Sequence, residues 1–119
     1  MEEKATYSTE RSEIIAVDFD GTLCENAWPG IGAPNLELIE HLKWKKSQGA
    51  KIILWTCRAD EELKEAVGFC ARYGLEFDAV NENLPYIIEL FGRDTRKIFA
   101  NQYIDDRAAM EFNLPFMQL

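Results

Sequence analysis

The chain contains no apolar run approaching the roughly 20 residues that a membrane-spanning helix needs, so a transmembrane reading has no support in the sequence. Its opening stretch, Met1 to Glu13, is polar and charged, unlike the apolar core of a secretory signal. Cysteine is scarce. Cys24, Cys57 and Cys70 are odd in number and widely spaced, and they form neither a disulfide framework nor a CxxC zinc pair. Free thiols in a reducing cytoplasm are the simplest reading. Positive charge is also in deficit, with 13 Lys and Arg against 21 Asp and Glu and a net charge of −8. Long-range repulsion therefore opposes non-specific contact with nucleic acid or an anionic membrane, although a local basic patch is compatible with that sum. Internal repeats, low-complexity tracts and domain linkers are absent.

What remains is an ordinary globular composition: 119 residues, 47% apolar and 29% charged. That length suits one domain with a core of its own. The sequence divides into a polar N-terminal segment, 1–12, and a core, 13–119.

Strand and helix signals alternate along the core. Ile14-Ile15-Ala16-Val17 is a continuous apolar run of the kind found in strands buried on both faces. A Gly- and Pro-rich loop is predicted from Cys24 to Pro34. Asn35 can cap a helix whose apolar positions are Leu36, Leu38, Ile39 and Leu42, with Lys43, Lys45 and Lys46 in its last turns and Gly49 as its stop. His41 falls on the surface of that helix. A second strand spans Lys51 to Trp55. Asp60 can cap a second helix, striped by Leu63, Ala66, Val67, Cys70 and Tyr73 and ended by Gly74. Phe77 to Val80 reads as a short strand, Asn83-Leu84-Pro85 opens a helical stretch through Phe91, and Gln102 to Ile104 reads as a last strand. The predicted fold is α/β, a single-domain, doubly wound, Rossmann-like parallel sheet with helices on both faces. Such sheets bind ligands beyond the carboxyl ends of their strands.

The polar residues fall where that rule puts a site. Asp18 and Asp20 leave the first strand, Thr56 the second, and Asp105 and Asp106 the last. Residues two apart in extended chain face the same side, so Asp18 and Asp20 offer two carboxylates to one pocket. Four carboxylates gathered together repel, and a hard divalent cation such as Mg²⁺ resolves the repulsion with oxygen ligands alone. Either pair alone would more simply be solvated carboxylates at strand ends. Lys97, eight positions before Asp105, adds a cation, and Thr56 adds a hydroxyl. Together the set supplies a nucleophile, an acid/base, a hydroxyl clamp, a lysine and a metal site, the parts needed for phosphoryl transfer to a carboxylate.

These residues resemble the haloacid dehalogenase (HAD) superfamily of phosphatases. Asp18-Phe19-Asp20-Gly21-Thr22 is similar to its DxDGT motif, Thr56 to the second motif, Lys97 to the third, and Ile104-Asp105-Asp106 to the acidic fourth, in the family's order. The resemblance implies that Asp18 forms an aspartyl-phosphate. It implies that Asp20 protonates the leaving oxygen and then activates water, that Thr56 binds a phosphoryl oxygen, and that Lys97 neutralises charge. It also implies that Mg²⁺ is held by Asp18, the carbonyl of Asp20 and Asp106, with Asp105 behind. Gly21 would permit the turn and Thr22 would hold it. Arg58 and Arg107, beside motif residues, either touch the substrate or form structural ion pairs. Asn81, Glu82 and Asn83 either line the rim or make turns, and Trp28 either covers the pocket or packs onto the body.

The intervals Asp20 to Thr56 and Arg58 to Lys97 have no room for an inserted cap, so the resemblance is to a capless member with an open pocket, which a neighbouring subunit of a homo-oligomer could cover. The expected substrate is a small phosphorylated metabolite. A phosphorylated nucleic acid end is the alternative, because Ile104-Asp105-Asp106-Arg107 also resembles polynucleotide 3′-phosphatases. A receiver-like phospho-acceptor domain is a further alternative, opposed by Asn81-Glu82-Asn83 at the exit of the third strand, where a receiver carries its Asp.

Overall fold

The structure, a computed structural model, describes residues 12–105. Asp106, Arg107, the polar N-terminal segment up to Arg11 and the tail through Leu119 lie outside the described residues. Strands β1 (Ile14–Val17), β4 (Lys51–Leu54), β5 (Ala79–Val80) and β6 (Gln102–Ile104) form one sheet in the order β5-β4-β1-β6. Every pairing in it is parallel, with Val17 opposite Leu54 on one side and Ile104 on the other. Helices α1 (Leu36–Ser47), α2 (Asp60–Arg72) and α3 (Pro85–Phe91) connect the strands. The architecture is a single α/β domain.

All four residues of β1 are buried, as a strand flanked by partners on both sides requires. Its side chains alternate between two apolar clusters. Ile15 and Val17 join Ile52, Leu54, Ile39 and Leu42 of α1, and Ala66 and Cys70 of α2. Ile14 and Ala16 join Ile53, Ala79, Ile87 of α3 and Ile98. Each fully buried Ile or Leu contributes about 1.5–3 kcal/mol relative to exposure. Among the described residues no helix is long and apolar enough to cross a membrane.

The helix signals are reproduced at most ends. The Asn35 side chain accepts the Leu38 N–H at 3.2 Å, and α1 stops before Gly49 at φ 101°. Pro85 opens α3, which ends on Gly92 in the left-handed region, so Asn83 and Leu84 precede the helix rather than start it. Three expectations change. Leu36 is exposed rather than part of the α1 stripe. Ala59, without a side-chain bond, is the N-cap of α2, and Asp60 is its first residue. The predicted strand at Phe77–Val80 shrinks to Ala79–Val80, because the Asp78 carboxylate takes the Ile52 N–H at 2.8 Å in place of a backbone carbonyl. The lysines of α1 are partnered by carboxylates, Lys43 by Glu40, Lys45 by Glu13 and Lys46 by Asp78.

The largest difference lies at Cys24–Pro34. The predicted loop is a β-hairpin, β2 (Cys24–Ala27) against β3 (Gly30–Pro34), antiparallel with a register shift between Cys24 and Asn26. The hairpin has no β-branched alternation to announce it. A Cβ on Gly32 would stand 2.5 Å from the Glu25 carbonyl oxygen, so only glycine allows the two strands this approach.

Candidate active site

The exits of the parallel strands carry the predicted polar residues. Asp18 follows β1, Thr56 lies two positions beyond β4, and Asp105 follows β6. The Asp18 N–H donates to the Ile104 carbonyl at 2.8 Å, and the Trp55 N–H donates to the Val17 carbonyl at 2.8 Å. These bonds extend the sheet past its last full pairs and fix Asp18 between the other two exits. Thr56 is held from both sides. Its N–H donates to Asn81 Oδ1 at 2.8 Å, and its hydroxyl oxygen accepts the Arg58 N–H at 3.0 Å. With its oxygen occupied, the Thr56 hydroxyl is left to donate its proton elsewhere. Asn81 adopts φ 56°, a left-handed conformation that Asn tolerates better than most residues, and this aims its amide at Thr56.

Asp20 is clamped. Arg58 Nε donates to Asp20 Oδ2 at 2.9 Å and Arg58 Nη2 to Oδ1 at 2.8 Å, a bidentate pair. The remaining guanidinium protons go to the carbonyls of Pro29, Gly30 and Glu62 at 3.3, 2.6 and 3.3 Å. All five donors are therefore used inside the protein. Arg58 is 2% exposed, with its guanidinium 5.0 Å from the ring centres of both Phe19 and Trp28. Hydrogen bonding by Asp20 raises the guanidinium pKa still further above its ordinary value. Of the two sequence readings of Arg58, this geometry matches the structural ion pair, since no donor is left for a substrate. One arginine thus ties together the second motif carboxylate, the hairpin turn and the first turn of α2.

The hairpin turn borders a pocket of about 330 Å³ lined by Asp20, Asn26, Trp28, Cys57 and Arg58. Trp28 forms part of that wall and is 57% exposed. Asn26 carries no motif signal and escapes a sequence reading. It is placed by its own turn, where its Oδ1 accepts the Trp28 N–H at 3.2 Å.

Gly21 adopts φ 82°, the conformation expected of the turn residue. Thr22 holds that turn through its backbone rather than its hydroxyl. Its N–H donates to the Phe19 carbonyl and its carbonyl accepts Asn35 Nδ2 at 3.0 Å, while its buried Oγ1 has no partner. Lys97 lies on the exposed segment between α3 and β6 and forms no ion pair among the described residues. That segment is tethered by Asn83, buried at the exit of β5, whose side chain reaches Asp94 Oδ1 at 2.7 Å and the Phe99 N–H at 2.7 Å. Asn83 is thus an anchor for the lysine segment, not a rim residue.

The donors suit a hard cation. Asp18 and Asp105 leave neighbouring parallel strands and offer oxygen ligands only. Among the described residues no three His, Cys, Asp or Glu side chains converge, and Asp106 lies outside them.

The thiols differ sharply. Burial pushes the Cys70 thiol up to about 12 and also raises that of Cys24, whereas Cys57 is exposed at the pocket. A chromogenic thiol reagent is therefore expected to titrate Cys57 alone in the native protein and all three cysteines after denaturation. Reaction of all three at one rate without denaturant would contradict this packing.

No protein-family model and no curated protein matches the chain. Among solved structures it is similar to a conserved, locus-encoded protein from Bacteroides thetaiotaomicron. The two share 42% sequence identity and superpose with a TM-score of 0.72 over 81% of this chain and 77% of that one.

Proposed function

This chain belongs to the same family as that conserved Bacteroides thetaiotaomicron protein, and from its own residues we propose that it is a Mg²⁺-dependent phosphomonoester hydrolase of the HAD type, acting through an aspartyl-phosphate on Asp18. The observation that carries the reading is the position of Asp18, Thr56 and Asp105 at strand exits along the carboxyl edge of one parallel sheet, with Asp20, two residues beyond Asp18, held by Arg58. The alternation of β1 between a cluster with α1 and α2 and a cluster with α3 supports taking the sheet as doubly wound and Rossmann-like. Free Cys24, Cys57 and Cys70 support a reducing, cytoplasmic setting.

In this reading a carboxylate oxygen of Asp18 attacks phosphorus, and the bond from phosphorus to the ester oxygen breaks. Asp20 gives its proton to that oxygen. Asp20 then takes a proton from water, which attacks phosphorus and releases phosphate and the free Asp18 carboxylate. Thr56 donates its hydroxyl proton to a phosphoryl oxygen, and Lys97 neutralises negative charge there. Asp18, the Asp20 carbonyl and Asp106, with Asp105 behind, would hold Mg²⁺, which offsets the charge of carboxylates and phosphate together. Arg58 acts as a positioning residue, fixing the rotamer of Asp20. A receiver-like domain is disfavoured because Asn81, at the third strand's exit, is spent on holding Thr56.

The test is phosphate release from a panel of phosphorylated metabolites and 3′-phosphorylated oligonucleotides, with Mg²⁺ and with excess chelator. Release from at least one ester, lost in chelator and restored by Mg²⁺, is the expected result. Release that survives chelation, or none from any ester, would sink the proposal.

A further inference from the structure

We propose that the pocket under the β2–β3 hairpin is the leaving-group subsite, and that it selects phosphomonoesters whose leaving group carries an uncharged planar ring. The inference rests on the phosphatase reading. Asp20, the residue that would protonate the ester oxygen, lines this pocket, so the group attached to that oxygen falls inside it. Its volume of about 330 Å³ is at the small end for ligand sites and suits one ring system.

The lining decides what kind of group fits. Trp28 supplies an aromatic wall, braced by Arg58 at 5.0 Å and still 57% exposed. An exposed indole held in place by a stacked guanidinium is a ready platform for a second ring. Asn26 has its amide oxygen bound to the Trp28 N–H, which leaves the amide nitrogen to donate to a ring substituent. Cys57 adds an exposed thiol to the lining. Among the described lining residues Arg58 is the cation, and its five donors are engaged, so a second anionic group on the substrate finds no donor on Arg58 and meets Asp20 instead.

The experiment compares kcat/KM for benzyl phosphate, adenosine 3′-phosphate and glycerol phosphate in the wild type, Trp28→Ala and Trp28→Phe, all with Mg²⁺. A preference for the ring-bearing esters is expected. Trp28→Ala should lower the ring-to-glycerol ratio about tenfold, chiefly through KM, as loss of one stacking contact implies. Trp28→Phe should restore most of the ratio. A gain for both ring esters identifies generic ring stacking and a gain for the nucleotide alone identifies nucleoside recognition; either supports the subsite. A wild type that cleaves glycerol phosphate equally well overturns the subsite and leaves the phosphatase reading standing. So does a ratio that Trp28→Ala leaves unchanged while all three esters fall together. Failure to cleave any ester overturns both.

Discussion

Asp18→Asn is expected to reduce phosphate release at least about a thousandfold, because a carboxamide cannot form the covalent phosphoryl ester on which both half-reactions depend. The substitution is nearly isosteric. It keeps the main-chain bond from residue 18 to Ile104 and the buried strand behind it, so circular dichroism and the urea midpoint should stay close to those of the wild type. The informative measurement pairs the two. Loss of turnover with an intact fold assigns the loss to chemistry, whereas full activity in the variant would remove Asp18 as the nucleophile. Mass spectrometry of the wild type quenched during turnover should find phosphate on the peptide carrying Asp18 and none on the variant's peptide.

Arg58→Ala is expected to destabilise the fold by about 3 kcal/mol, the lower end for removing one partner of a buried ion pair. The lower end applies because the Asp20 side chain is 21% exposed and water can reach part of it. Three main-chain carbonyls, of Pro29, Gly30 and Glu62, lose their donors at the same time, and the Phe19 and Trp28 rings lose the group packed between them. Arg58→Lys should recover little, since an ammonium cannot reproduce a bidentate fork together with three further bonds. Urea unfolding of Arg58→Met, Asp20→Asn and the double variant measures the coupling, and the double variant should lose less than the sum of the singles. Additive losses, or an Arg58→Ala cost below about 0.5 kcal/mol, would show that the pair is a surface ornament of the usual weak kind.

The legible part of this fold was the part dictated by local periodicity. Apolar runs announced β1 and β4, and caps and glycines announced the ends of α1 and α3, because those signals act within a few residues. The hairpin at Cys24–Pro34 was illegible for the converse reason. Its strands are short and rich in glycine, and they are held by each other and by Arg58 rather than by β-propensity. The strand-end positions of Asp18, Thr56 and Asp105 followed from the sheet, but the clamp on Asp20 joins residues 38 apart and has no local signature. Asn81 and Asn83 were visible as polar residues after a strand. That one holds Thr56 and the other holds the lysine segment depends on contacts 25 and 16 residues away.

The register of the sheet also sets an order of assembly. Ile14 and Asn101 exchange two bonds, the Ile14 N–H to Asn101 Oδ1 at 2.7 Å and the Asn101 N–H to the Ile14 carbonyl at 2.8 Å, across a separation of 87 residues. Closing a loop of that length costs about 4 kcal/mol in chain entropy before any contact repays it. Pairing of β1 with β4 requires a much shorter closure and can come first, whereas β6 can dock only after the whole intervening chain has been made. On a ribosome, the central strand therefore waits with one edge open until residues 102–104 emerge. Asp18 and Asp105, which follow the paired residues Val17 and Ile104, come to neighbouring strand ends only when that pairing forms.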